Sequence, residues 1–169
     1  MIKTDININI TEKQWTKQLS SVKTLTKEVF AKVIDYLAPH WLKNKKSVSL
    51  NVALSDDQTI RELNMEFRNI DKPTNVLSFA NIDDEEFATY LKRNDDIELG
   101  DIIISLQTMI AQSQEQEISL HDHYIHILIH GILHLMGYNH IEKEETIEME
   151  NLEIKLLKLF NIANPYEEN

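Results

Sequence analysis

The sequence has no cysteine, which excludes disulfides and thiolate metal sites from the outset. Residues that interrupt regular structure are scarce, with three glycines and three prolines, so each is expected to mark a defined backbone event rather than a flexible linker. No segment approaches the roughly 18 consecutive apolar residues that span a bilayer. The N-terminal run Met1-Ile2-Lys3-Thr4-Asp5 lacks the charged-then-apolar order of a secretory signal. A cytoplasmic protein is the expectation. Positive charge is also in short supply, because 17 lysines and arginines face 28 acidic residues, a formal net charge of −11. An average surface of that sign repels polyanions, and any contact with nucleic acid requires a local basic patch.

What is present suffices for one core. With 169 residues and 42% hydrophobic content, a single domain over residues 1–169 is expected. Ile6, Ile8 and Ile10 alternate with Asn7 and Asn9, the period-two pattern of a strand with one buried face. From Trp15 to Leu37, apolar residues at Leu19, Val22, Leu25, Val29, Val33 and Leu37 predict a helix that Pro39 stops. Val48 to Leu54 alternates again. Ser55 is the expected N-cap of the next helix, with Asp56 and Asp57 in its first turn and an end near Phe67. Val76 to Phe79 reads as a third strand and Leu99 to Ser105 as a fourth. The acidic stretch from Asp83 to Asp96 reads as an exposed excursion with one helical turn near Phe87 to Leu91. Helices are predicted over residues 106–116, 120–136 and 142–160, the last with an apolar stripe at Ile147, Leu152, Leu156, Leu159 and Phe160. Four strands with about five helices indicate an α+β domain built on a mixed sheet.

Six of the seven histidines fall between His121 and His140. His130 and His134, four apart on a predicted helix, project from one face at a separation that one metal ion can bridge. Gly137 follows, where a residue free to take positive φ can end the helix and turn the chain back, and His140 can supply a third nitrogen. Three imidazoles leave one tetrahedral position open, the arrangement of a catalytic rather than a structural zinc site. Nickel or iron would satisfy the same ligands. The plainer alternative, helix histidines with ordinary hydrogen-bond partners, accounts for a lone residue better than for this joint placement. His126 lies too far along the axis to join both rings, so His121, His123 and His126 are read as surface or supporting residues.

The spacing His-x3-His-x2-Gly-x2-His is that of the metzincin metalloproteases, whose first histidine is followed by a glutamate that acts as general base. Here Gly131 stands at that position. The only methionine downstream, Met149, falls in a predicted helix rather than in a Met-turn. Peptide hydrolysis is thereby disfavoured.

With Gly131 in place, the run from His130 to His140 resembles the signature of the YbeY family of bacterial endoribonucleases. Leu63-Asn64-Met65-Glu66-Phe67-Arg68, with Asp71-Lys72-Pro73-Thr74-Asn75-Val76-Leu77-Ser78-Phe79, is similar to that family's second block. Leu99 to Ser105 resembles its next strand, and Met149-Glu150 through Pro165-Tyr166 its terminal helix and tail. Asn75 and Asn139 depart from the family, which usually has Asp at both places. Loss of a carboxylate beside His140 would remove one candidate acceptor that tunes ligand basicity.

The resemblance implies cleavage of single-stranded RNA in maturation of the 16S ribosomal RNA 3′ end and in ribosome quality control, with the ribosome or its proteins as partners. A zinc ion on His130, His134 and His140 suits phosphodiester hydrolysis, because it yields a nucleophile near neutral pH and polarises a phosphate oxygen. Arg68, which matches the family's conserved arginine, offers a planar fork of donors for the phosphate. Lys43, Lys45, Lys46, Arg61 and Lys72 would add a cationic channel if they converged on the same cleft. No general base is visible. Two alternatives share the histidines: a metzincin-like zinc peptidase using another base, and a non-catalytic ribosome-associated metal-binding factor.

Overall fold

The computed structural model describes residues 2–167, and among them the architecture is α+β, as the order of elements predicts. Four strands, β1 (Lys3–Ile10), β2 (Ser47–Ser55), β3 (Val76–Ala80) and β4 (Asp96–Ser105), lie in the order β1-β2-β4-β3. The first three in that order run parallel, and β3 is antiparallel to β4 at the sheet edge. Parallel neighbours require crossover connections, and helices α1 (Gln14–Gln18) and α2 (Val22–Leu37) lie in the one from β1 to β2. The alternation read in β2 is realised, with Val48, Leu50, Val52 and Leu54 buried and Ser49, Asn51 and Ala53 on the other face.

In β4 the alternation changes phase. Ile97 and Leu99 are buried, and so are Ile102 and Ile104. Between the pairs Ser49–Glu98 and Asn51–Asp101, β4 advances by one residue more than β2, a bulge that lets both halves of the strand face the core. Gly100 sits in it with φ +135°, and a Cβ there would lie 2.1 Å from the carbonyl oxygen of Phe79. No L side chain fits that backbone.

The remaining helices are α3 (Asp57–Arg68), α4 (Phe87–Arg93), α5 (Leu106–Glu115), α6 (Leu120–Leu135) and α7 (Lys143–Lys158). Among the described residues the total is seven rather than about five, for two reasons. The helix predicted from Trp15 to Leu37 is broken at Leu19–Ser21, and the helical turn expected near Phe87 extends to Arg93. Leu19 leaves the helical region at φ −145° and ψ 81°, while Trp15 is fixed in the core by its indole N–H, which donates to the Ser55 carbonyl at 3.0 Å. Ala38, in a left-handed conformation, then ends α2 ahead of Pro39.

Three local readings are corrected. The N-cap of α3 is Asp56, whose carboxylate accepts from the Thr59 N–H at 2.8 Å, whereas Ser55 is the buried last residue of β2. The core-facing stripe of α7 is Met149, Glu153, Leu156 and Leu157, with Ile147 and Leu159 exposed. Glu153 occupies an inward position that a count of apolar residues passes over. The fourth strand, expected from Leu99, begins at Asp96, the last residue of the stretch read as an excursion.

Helix α6 is the centre of the domain, packing on β3, β4, α2, α5 and α7. Nearly all its faces are apolar and buried, which marks it as an interior helix. One stripe differs: His126, His130 and His134, four apart, are only partly covered. Gly131 lets this helix approach the sheet, since a Cβ there would lie 3.2 Å from the Ile102 side chain and from the Ser78 hydroxyl. No helix of the described residues is long and apolar enough to cross a membrane.

Candidate metal centre

α6 ends in a Schellman turn that carries His140 back toward the helix. The N–H of Gly137 donates to the His134 carbonyl at 3.1 Å and that of Tyr138 to the Leu133 carbonyl at 3.0 Å. Gly137 takes φ +98°, as the turn requires. One ring nitrogen each from His130, His134 and His140 then lies within 4.8 Å of the others, a group able to hold a metal ion.

Hydrogen bonds behind the rings decide which nitrogens face inward. His130 Nδ1–H donates to Glu153 Oε1 at 2.5 Å, and His134 Nδ1–H donates to the Tyr138 carbonyl at 3.1 Å. In the neutral tautomers that these bonds select, both Nε2 atoms carry lone pairs, and they stand 3.1 Å apart. Two lone pairs at that distance repel unless a cation lies between them. Nitrogens bound to one tetrahedral zinc at about 2.0–2.1 Å stand roughly 3.3 Å apart, so the spacing fits an ion of this kind. Burial, then the neighbouring His130 and His140, lowers His134 to about 4 and keeps it in the neutral form that ligates metal.

Glu153 was not singled out in the sequence, where it is one more glutamate in an acidic helix. Its side chain is 0% exposed. Besides His130 it accepts from His126 Nε2–H at 3.4 Å and from the Tyr166 hydroxyl. Burial pushes the carboxyl up, but the hydrogen bonds from His126, His130 and Tyr166 outweigh it and hold the group well below the ordinary carboxylate range. A fixed anion thus orients His130, and the tail residue Tyr166 closes over it. The signal available in the sequence was the helical spacing, which puts Glu153 four residues from Met149 on the buried stripe.

Of the other histidines, His121 and His126 lie at the surface and behind the centre as read, whereas His123 does neither. His121 pairs with Asp122 at the surface, and His126 stands behind the centre rather than in it. His123 is buried, and burial followed by the charge of His126 lowers it to about 4. Its Nε2–H donates to Gln112 Oε1 at 2.8 Å, which also accepts from Asn75 Nδ2 at 3.1 Å. Asn75, the first departure from the family, is thereby tied to α5 while lining the cleft. Asn139 Oδ1, the second, accepts from the Ile141 N–H at 3.3 Å. The carboxylate that supports the centre is Glu153, so nothing in the support of His130 and His134 depends on a carboxylate at position 139.

The three histidines sit in a cleft of about 510 Å³ walled by β3 and the residues after α6. Arg68, at the C-terminal end of α3, lines it. Lys43, Lys45, Lys46, Arg61 and Lys72 do not converge on this cleft, so the condition for a cationic channel is not met. Lys43 and Lys45 border a different depression, and Lys45 Nζ donates to the Leu91 and Asn94 carbonyls. Arg61 is paired with Asp71 at 2.8 Å beside another groove. Among the described residues, Arg68 is the one lysine or arginine lining the cleft and Asp83 the one carboxylate.

Comparison with known proteins identifies the family. A family profile described as Endoribonuclease YbeY matches residues 9–161. An endoribonuclease YbeY of Wolbachia sp. subsp. Drosophila simulans is 37% identical over 153 residues, covering 90% of this chain and 93% of that protein. The one of Paramagnetospirillum magneticum is 44% identical over 121 residues, covering 72% and 73%. A solution structure of a Thermotoga maritima protein superposes with a TM-score of 0.52 over 97% of this chain and 100% of the other, at 24% identity, which speaks for the fold alone. With the profile spanning most of the residues and relatives of that identity covering most of both chains, the chain belongs to the Endoribonuclease YbeY family.

Proposed function

We propose that the chain is a zinc-dependent endoribonuclease for single-stranded RNA, with His130, His134 and His140 as metal ligands and Arg68 as the phosphate-binding group. Convergence of Nε2 lone pairs on one point, in a cleft shared with Arg68, is the observation that carries this reading. The relatives' name supplies the substrate class, and maturation of 16S ribosomal RNA on the ribosome is the setting the family suggests. Bound zinc would supply a nucleophile at neutral pH and polarise a phosphate oxygen.

The chain's own residues do the rest. Glu153 and the Tyr138 carbonyl fix the tautomers of His130 and His134, so the rings need no reorganisation to receive the ion. Arg68 has no carboxylate partner among the described residues, which leaves its guanidinium free to take a phosphate in two parallel hydrogen bonds. Glu153 is unsuited to act as a general base, since it is fully buried and already accepts from three side chains. Gly131 packs against Ser78 and Ile102 where the metzincin spacing would put the catalytic glutamate, which weighs against the peptidase reading.

Incubation with unstructured RNA and with unfolded protein, each with and without a chelator, tests the reading. RNA is expected to be cut and protein left intact, with cleavage abolished by metal removal. Arg68→Ala should lower kcat/KM by 10²-fold or more while leaving folding and metal content unchanged. Protein cleavage by the wild type, or full RNA cleavage after complete metal removal, overturns it.

A further inference from the structure

Phe67 immediately precedes Arg68 at the end of α3, and it is 59% exposed. A single exposed ring needs no explanation by itself, but this one stands between two depressions. Phe67 and Phe79 line both the histidine cleft and a second hollow on the uncovered face of the sheet. Phe79 holds Phe67 edge-on, with ring centroids 5.1 Å apart and planes at 65°. Across the cleft, Ile141 is 83% exposed and forms a second apolar lip. The hollow beyond Phe67 is lined by Asn7, Asn9, Asn51 and Asp101. Asn7, Asn51, Asp101 and Phe79 are register partners, one row across all four strands.

The chemistry of this path suits bases better than phosphates. The cleft offers a single arginine or lysine among the described residues, and the sheet face beyond it carries carboxamides and a carboxylate. Phosphates would be repelled there, while base edges find donors and acceptors, and a base finds a ring at the threshold. The geometry points to Phe67 as a base-stacking platform for single-stranded RNA: with a phosphate on Arg68, the adjoining base stacks on Phe67 and the strand continues over the Asn7–Asn51–Asp101 row. This rests on the RNA reading above. It also explains how a chain of net charge −11 binds RNA without a basic channel: stacking replaces much of the counterion release on which most such proteins rely. A base-paired strand cannot splay a base onto the ring, so selectivity for unpaired RNA follows from the same contact.

Binding of a short unstructured oligoribonucleotide carrying 2-aminopurine, followed by anisotropy and by quenching of that base, tests the platform. Phe67→Ala is expected to weaken binding about ten-fold and to remove the quench, and Phe67→Trp to retain both. Phe67→Leu preserves an apolar contact with Phe79 yet cannot stack, so it should also lose the quench. If Phe67→Ala lowers the thermal midpoint, Phe67→Leu carries the test. Tyr36→Ala, at another exposed ring, should change nothing. The slope of log Kd against log salt should be unchanged in Phe67→Ala and should fall by about 0.7 in Arg68→Ala. Wild-type binding and quenching in both Phe67→Ala and Phe67→Leu overturn the platform, including in favour of a protein-docking role, and leave the metal-dependent cleavage reading standing. Failure of the wild type to bind single-stranded RNA at all removes that reading and the platform with it.

Discussion

Glu153→Ala is expected to lower metal affinity by about 10- to 100-fold and stability by roughly 2–3 kcal/mol. The side chain is fully buried and accepts hydrogen bonds from His126, His130 and Tyr166. Removing it releases the His130 ring, whose Nδ1–H then loses the acceptor that fixes its tautomer and aims Nε2 at the other ligands. The anion also raises the basicity of that imidazole toward a metal, a contribution an amide does not make. Glu153→Gln should therefore fold better than the alanine variant and still bind metal more weakly than the wild type. Chelator competition measures the affinity and urea unfolding of the metal-free chain the stability. Wild-type metal affinity in both variants would mean that the histidines are held by their backbone positions alone.

Gly100→Ala should be the most damaging substitution of a residue that touches neither metal nor substrate. The added Cβ would lie 2.1 Å from the backbone oxygen of Phe79, and φ at this position is +135°. Neither contact can be relieved by turning a side chain, so β3 must move away from β4 or the bulge must unwind. The combined cost is about 4 kcal/mol, a fall of order 10 °C in Tm for a chain of this length. β3 is a wall of the histidine cleft, and Gly100 pairs with Ala80 at its end. Metal affinity should accordingly drop along with Tm. A thermal scan of the metal-free variant, with circular dichroism to report folding, checks this; an unchanged Tm would contradict the account of the bulge.

The parts of this protein that were legible in the sequence are those where spacing and chemistry coincide. The i, i+4 pair of His130 and His134, the glycine at 137 and the third histidine at 140 specify a convergent centre, because a helix and a Schellman turn leave little choice of geometry. The alternation in β1 and β2 likewise identified the strands, since one buried face imposes period two. Glu153 was not legible in the same way. A buried carboxylate on an apolar stripe looks like an error in the stripe, and only three-dimensional proximity to His130 and His126 gives it meaning. The lysines misled for the opposite reason: nearness in sequence to a motif says nothing of which groove a side chain lines, and Lys45 is held by the Leu91 and Asn94 carbonyls instead. The break between α1 and α2 falls at Leu19, beside a Trp15 that is held by Ser55, a contact 40 residues away in the chain and invisible to local periodicity. Gly131 was noticed as a missing glutamate, and its positive role, close approach of α6 to Ser78 and Ile102, emerged only from packing.

The central claim is that His130, His134 and His140 hold a metal ion. Metal analysis of the chain purified without a histidine tag, wild type beside His130→Ala and His134→Ala, tests it most directly. One zinc ion per chain in the wild type, and less than a tenth of that in either variant with folding retained, is the result the account predicts. A metal-free wild type that does not take up zinc, nickel or iron on titration, or variants that retain the full complement, would contradict it.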